Sequence, residues 1–251
     1  MPKNAPDNMQ RKSSASNRGK HVIGLSGGKD STALALRLSE IEPRDYEYIC
    51  NETGNELPEM QRHWTNLERM LGKEIVRVRH SRGLVEECLK QRMLPSVFGR
   101  WCTRILKIEP TIEYMESLPA GSILYVGLRA DEEERKGLYG EDIAIRFPMR
   151  EWGWGETDVW EYLESRGVCI PQRTDCAICP FQRLGEWREL YQKHPDLYAE
   201  GVRLERKIGA TIRSPGRDTW PAGLEELGGD FERGRKLRAY RRRNPCRVCS
   251  L

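Results

Sequence analysis

This sequence is marked first by what it does not contain. No apolar run approaches the roughly 20 residues that a membrane-spanning helix requires, and no signal-peptide core follows the initiating Met. The expectation is a soluble, cytoplasmic protein with no membrane partner. Residues 1–20 are polar, rich in Ser, Asn, Lys and Arg, and aperiodic. They read as a disordered basic tail and lack the amphipathic pattern of an organelle address. Two familiar nucleotide loops are missing as well. Three residues separate Gly24 from Gly28 where the Walker pattern needs four, and Asp30 holds the place of its Ser or Thr. The dinucleotide Gly-x-Gly-x-x-Gly pattern does not occur. With no export signal, the eight cysteines have no oxidising compartment in which to pair, which argues for metal or redox chemistry.

What is present is organised around Ser26-Gly27-Gly28-Lys29-Asp30-Ser31-Thr32. The apolar His21-Val22-Ile23-Gly24-Leu25 before it reads as a buried strand, and Thr32-Ala33-Leu34-Ala35-Leu36-Arg37-Leu38 after it as a helix. Strand, glycine turn and helix start make an anion site, because unpaired N–H groups and the positive end of the helix dipole point at the turn. Two glycines let backbone approach a phosphate that a Cβ would hold off. Ser26, Ser31 and Thr32 add hydroxyls and Lys29 a charge.

At 251 residues the chain suits one α/β domain with an appendage. Tyr46-Glu47-Tyr48-Ile49-Cys50 reads as a second strand, followed by an acidic loop at residues 51–56 and a helix over 58–71. A third strand at 74–78, a third helix at 81–94 and a strand at 123–126 continue the alternation. Alternating strands and helices imply a doubly wound, mostly parallel sheet with ligands at the C-terminal strand ends. Glu52 and Thr53 fall on that edge, and so do Gly127, Arg129, Asp131 and Glu132. Arg104 and Lys107 are one helical turn apart, a spacing that suits clamping of an anion. Glu156-Thr157-Asp158-Val159-Trp160-Glu161-Tyr162-Leu163 reads as a capped amphipathic helix whose aromatics belong to the core. We place the nucleotide-binding unit at 21–170 and a helical, cysteine-bearing region at 171–251.

The net charge of +4 is uneven: Arg233, Arg235, Lys236, Arg238, Arg241, Arg242, Arg243 and Arg247 face Glu232 alone. Such a run suits nucleic acid, or a solvated helix. Cys176-Ala177-Ile178-Cys179 and Cys246-Arg247-Val248-Cys249 are both C-x-x-C pairs, a spacing shared by metal sites and thioredoxin-like redox sites. Cys50 and Cys88 read as buried thiols.

The Ser26-Gly27-Gly28-x-Asp30-Ser31 loop resembles the pyrophosphate loop (PP-loop) of the ATP pyrophosphatases and the phosphoadenosine phosphosulfate (PAPS) reductases. Cys102-x-x-x-x-Lys107-x-x-Pro110, Gly127-x-Arg129 and the Pro148…Trp152…Asp158-Val159-Trp160 segment are similar to segments of the same family. The resemblance spans residues 20–190. It implies an adenine nucleotide alpha hydrolase-like sheet that binds ATP with magnesium. By the same resemblance Ser26, Gly27, Gly28, Lys29, Asp30, Ser31 and Thr32 hold the polyphosphate, with Thr53, Arg104, Lys107, Gly127 and Arg129 around them. Lys29, Asp30 and Arg129 are then the catalytic candidates.

The iron–sulfur branch of that family carries adjacent cysteines where this chain has Trp101-Cys102. Cys102, Cys176, Cys179 and one tail cysteine, Cys249 or Cys246, are the implied ligands of a 4Fe-4S cluster. A structural zinc on the two C-x-x-C pairs, or a nucleophilic tail cysteine, are the alternatives. The intact phosphate loop resembles the ATP-cleaving, sulfur-inserting members. The expected function is therefore adenylation of an acceptor, nucleic acid included, with pyrophosphate release and sulfur transfer from a donor protein. A thiol-dependent sulfonucleotide reductase and a non-catalytic nucleotide- or nucleic-acid-binding module remain the alternatives.

Overall fold

The computed structural model describes residues 18–135 and 139–237. Cys246, Cys249 and the basic residues from Arg238 onward lie outside the described residues, as does most of the expected tail at 1–17. Lys20 is already tied to the fold through its ion pair with Glu47 (2.7 Å) and its N–H bond to Ser122 (2.9 Å).

Strands β1 (His21–Gly24), β2 (Tyr46–Glu52), β3 (Ile75–Arg79), β4 (Ile123–Tyr125) and β5 (Ala144–Arg146) form one five-stranded sheet in the order β3-β2-β1-β4-β5. Every pairing is parallel, with His21 opposite both Tyr46 and Ile123. The doubly wound α/β reading holds. Period-two alternation sends β1 side chains to opposite faces. Ile23 packs with α1 (Lys29–Ile41), α2 (Pro58–Leu71) and α7 (Glu156–Ser165), while Val22 packs with α5 (Glu109–Glu116) on the other side. Trp152, Trp154 and Trp160 lie against the first of these layers, and for Trp160 this agrees with its assignment to packing.

A second core lies beyond the sheet edge. It joins α3 (Leu84–Gln91) to α8 (Leu184–Lys193), α9 (Pro195–Ile208) and α10 (Leu224–Glu232) around fully buried Trp187. Glu205 of α9 braces it by accepting the Ile212 and Leu224 N–H groups, each at 2.7 Å. The C-terminal helices thus share a core with α3, which follows the sheet strand β3.

The short α4 (Trp101–Thr103) runs into a π turn at Arg104–Ile108 and then α5. The Glu109 N–H bonds back to the Arg104 carbonyl, five residues earlier. Pro110 has no N–H to offer the preceding turn, and a widened turn accommodates that loss. The remaining α6 (Pro148–Glu151) is one turn after β5.

Candidate functional site

The chain winds outward from β1 to β3 and returns to β4, so β1 and β4 flank the point where the order reverses. Ligands of open α/β sheets bind in the crevice at the C-terminal ends of such strands. The glycine loop at residues 26–32, expected to hold phosphate, fills that position behind β1. Gly27 has φ +85°, a left-handed conformation open to glycine, and a Cβ there would lie 2.8 Å from Met60 Cε and Trp64 Nε1. The Trp64 indole donates to the Ser26 carbonyl (3.1 Å) and pins the turn to α2. Gly28 caps α1 with no side-chain bond, so the first-turn amides have no capping side chain. Ser31 donates to the Gly28 carbonyl (3.1 Å) and meets the Ser26 hydroxyl at 3.0 Å. Thr32 is fully buried behind the loop.

The loop after β4 closes the other side. A Cβ on Gly127 would lie 3.1 Å from the Asp30 carbonyl carbon and the Ser31 nitrogen, so glycine permits this close approach to α1. Arg129 then reaches Asp30 (3.1 Å), Asp131 (2.8 Å) and Glu132 (3.6 Å). Burial works against its charge, but the hydrogen bonds to Asp131 and Asp30 outweigh it and hold the guanidinium protonated. Lys29 shares Asp30 at 3.0 Å and reaches Glu156 at 3.6 Å. Two cations and four carboxylates therefore stand at the mouth of the loop.

The thiols gather beside it. An antiparallel bridge pairs Glu56 with Cys176, and Asn55 accepts the N–H groups of Ala177 (2.7 Å) and Ile178 (3.1 Å). The C-x-x-C turn is thereby strapped to the loop after β2. Thr53 meets Cys176 Sγ at 3.2 Å and donates to Glu56 at 2.6 Å. Lys107 points into the same place. Cys176 first, then Cys102, Cys179 and Glu56, raise its pKa against the opposing effect of burial. Its carbonyl accepts from Asn51 (3.1 Å) and Thr111 (2.7 Å), which fixes the π turn to the end of β2. Burial raises the Cys176 pKa despite Lys107 and Thr53, and pushes Cys179 up to about 12.

An all-sulfur donor set beside a cation suits iron–sulfur or zinc chemistry better than a hard cation. Among the described residues, no three His, Cys, Asp or Glu side chains are grouped closely enough to hold a metal ion. The tail pair lies outside the described residues. Cys169 is disulfide-bonded, which corrects the expectation that the cysteines stay unpaired. A cavity of about 410 Å³ adjoins the thiols, lined by Glu52, Thr53, Glu56, Gln61, Arg79 and His80 among others.

The structure brings Ser26, Gly27, Gly28, Lys29, Asp30, Ser31, Thr32, Gly127 and Arg129 together at one crevice. It brings Thr53, Lys107, Cys102, Cys176 and Cys179 together at the neighbouring one. Arg104 joins neither: it is exposed and paired with Glu109. Lys107 instead lies among the thiols, so the two residues expected to clamp an anion have different surroundings. Arg235 of the expected basic run folds back on Asp230 (2.6 Å) and over Trp220 (4.2 Å), while Arg233 also pairs with Asp230.

Sequence reasoning passed over His63, which is buried beneath the loop and hydrogen-bonded to the Gly27 backbone. Its signal was present, since Met60, His63, Trp64 and Leu67 form the buried face of α2. It also passed over Asn55 and Thr174. A Cβ on Gly28 would lie 3.7 Å from the Thr174 hydroxyl, so the thiol loop borders the phosphate loop.

Two uncharacterized proteins of Methanocaldococcus jannaschii, MJ0066 and MJ0973, are each 25% identical to this chain, over 202 and 207 residues. Those matches cover 74% of this chain but 41% and 47% of the relatives, so the chain spans less than half of their length. Among solved structures, it is similar to a phosphoadenylyl-sulfate reductase from Candida auris in complex with phosphate (14% identity, TM-score 0.43). That match covers 62% of this chain and 76% of the other. It is also similar to the U34-tRNA thiolase NcsA from Methanococcus maripaludis with its 4Fe-4S cluster (20% identity, TM-score 0.46), over 94% of this chain and 82% of that one. The phosphoadenosine phosphosulfate reductase domain matches residues 20–189, two-thirds of the sequence. The chain belongs to the phosphoadenosine phosphosulfate reductase domain family.

Proposed function

We propose that this protein binds ATP with magnesium at the phosphate loop, adenylates an acceptor with release of pyrophosphate, and completes sulfur transfer at the adjoining thiol site. The observation that carries the reading is the uncapped start of α1, with Lys29 and Arg129 beside it and the Thr174 loop against Gly28.

In this reading the loop amides and Lys29 hold the β- and γ-phosphates. Asp30, Asp131, Glu132 and Glu156 outnumber the cations, so a polyphosphate arriving there needs a divalent ion, and hard oxygen donors suit magnesium. An acceptor oxygen attacks the α-phosphorus, the bond to the β-phosphate oxygen breaks, and pyrophosphate leaves. Arg129 offsets charge that develops at the α-phosphate. Hydrosulfide then displaces AMP from the adenylated carbon, so that a bond to sulfur replaces the bond to oxygen. The cavity beside β2, lined by Thr53 and Glu56 of the thiol site, has room for the nucleoside or the acceptor. Cys102, Cys176 and Cys179, with Cys249 of the tail, are the residues that would hold an iron–sulfur cluster; when bound it supplies a site that carries sulfide. Lys107 opposes the burial that raises the Cys176 pKa and places a positive charge beside the thiols.

The test is pyrophosphate release from ATP by the purified chain, with the nucleic-acid and small-molecule fractions of a cell extract as separate sources of acceptor, and with and without hydrosulfide. Release is expected to require magnesium, and Asp30→Ala to abolish it. Lys29→Ala is expected to slow it about 100-fold, the scale for removing one preorganised contact to developing charge. Sulfite release from an adenylyl sulfate with no ATP turnover would overturn the reading in favour of a reductase.

A further inference from the structure

The strongest exposed feature outside these crevices lies at the rim of the thiol site. Phe98 is 94% exposed, at the tip of a tight turn. That turn is closed by the Gly99 N–H bond to Ser96 Oγ (2.9 Å) and the Ser96 N–H bond to the Gly99 carbonyl (3.3 Å). Four residues later the chain reaches Cys102. Phe181, 46% exposed, follows Cys179 and Pro180 directly. The two rims meet: the Arg100 guanidinium lies over the Phe181 ring at 5.1 Å from its centre. Arg217 arrives from the C-terminal region and donates to the Pro180 carbonyl (3.0 Å). Residues 88–108 hold five Lys and Arg residues and no Asp or Glu.

We propose that this rim is a docking surface for unpaired nucleic acid, with bases stacked on Phe98 and Phe181 and phosphates met by Arg100 and Arg217. The proposal rests on the acceptor reading above and names the acceptor's class. Three observations favour a nucleic acid over a protein. The apolar groups are separate rings set among arginines, whereas the centre of a protein interface is depleted in charge. Arg100 pairs with Phe181 through the ring face and keeps donor edges for a phosphate, which joins stacking and backbone contact in one place. The turn holding Phe98 is closed by its own hydrogen bonds, so the ring is presented at little ordering cost. The strand must be unpaired, because bases inside a duplex have no free face to stack.

The test is fluorescence anisotropy of the full chain, without ATP, against a labelled single-stranded RNA, the DNA of the same sequence, and the corresponding duplex. Single strands are expected to bind more tightly than duplex. Phe98→Ala is expected to weaken binding about tenfold, within the range for loss of one stacked base, and Phe98→Trp to restore it. Arg100→Ala is expected to lower the slope of log K against log salt by about 0.7, one phosphate contact on a single strand. A preference for RNA or for DNA identifies the acceptor, and either outcome supports the surface. Both rings are exposed, so unchanged circular dichroism and melting of the variants will show that they fold. Equal affinity of wild type and the Phe98→Ala, Phe181→Ala double variant overturns the proposal, as does equal binding of duplex. Absence of any strand binding overturns it too and leaves the rim to a protein partner. The adenylation reading is judged separately: pyrophosphate release without strand binding sinks this surface alone, and strand binding without pyrophosphate release sinks that reading alone.

Discussion

His63 offers a quantitative handle on the phosphate loop. It is 6% exposed on the inner face of α2, and burial pushes its imidazole down to about 4, with a hydrogen bond to the Gly27 backbone offsetting part of that. In the unfolded chain the same group titrates near 6.5. Between those values the unfolded chain binds a proton that the fold refuses, so stability rises with pH across the window. The contribution is complete above about pH 6.5 and is lost as pH falls toward about 4. A shift of that size is worth about 3 kcal/mol, a large share of the stability of an ordinary domain. His63→Gln keeps a hydrogen-bond donor for Gly27 and removes the titration. Chemical denaturation of both proteins at closely spaced pH values gives two stability profiles, and other acidic groups cancel in their difference. That difference should open by about 3 kcal/mol in favour of the variant as pH falls from about 7 to about 4. Parallel profiles would refute the buried neutral imidazole and with it the support it gives the loop.

Other outcomes follow from single contacts. Gly127→Ala puts a methyl against the first turn of α1, which should cost about 1–3 kcal/mol in thermal melts and reduce the stabilisation that ATP gives. Glu205→Ala strands two buried N–H groups, an expected loss of roughly 2–6 kcal/mol, while Glu205→Gln should lie between it and wild type in denaturant midpoint. Protein purified without oxygen should show the broad visible absorption of thiolate-bound iron, and Cys176→Ser should bleach it; a colourless, zinc-containing protein would contradict the cluster.

The first half of the fold was legible because its signals are local. Pro58 at the first turn and Gly72 past the last one delimit α2 at the residues the pattern marks. The glycine turn behind β1 was placed between strand and helix by its local pattern, and its reading as a phosphate loop came from the family resemblance. Long-range pairing decided the rest. Strand β2 runs through Asn51 and Glu52, which read as loop, because Val78 and Arg79 offer them partners. Helix α3 is shorter than its pattern: the Leu84 N–H bonds to the Thr53 carbonyl (2.7 Å) at its start, and Arg92 turns left-handed (φ 51°) at its end. Strand β5 has three residues, too few for a period to show. At the candidate site, loop and thiol residues could be named from motifs, but their adjacency could not. Asn55 and Ile178 lie 123 positions apart, and nothing in either neighbourhood announces the bond between them. The lone histidine on an otherwise apolar face was the clue that periodicity offered and motif reading ignored.

Asp30 is shared by Lys29 and Arg129, and this has a consequence for selectivity. A bare anion entering the crevice must part each cation from its internal counter-ion and strand a carboxylate next to itself. A chelated polyphosphate carries its own metal and gives those carboxylates somewhere to go. Under the proposed function, the resting crevice would discriminate by charge as well as by shape, against bare inorganic phosphate and sulfate and in favour of a metal-loaded nucleotide.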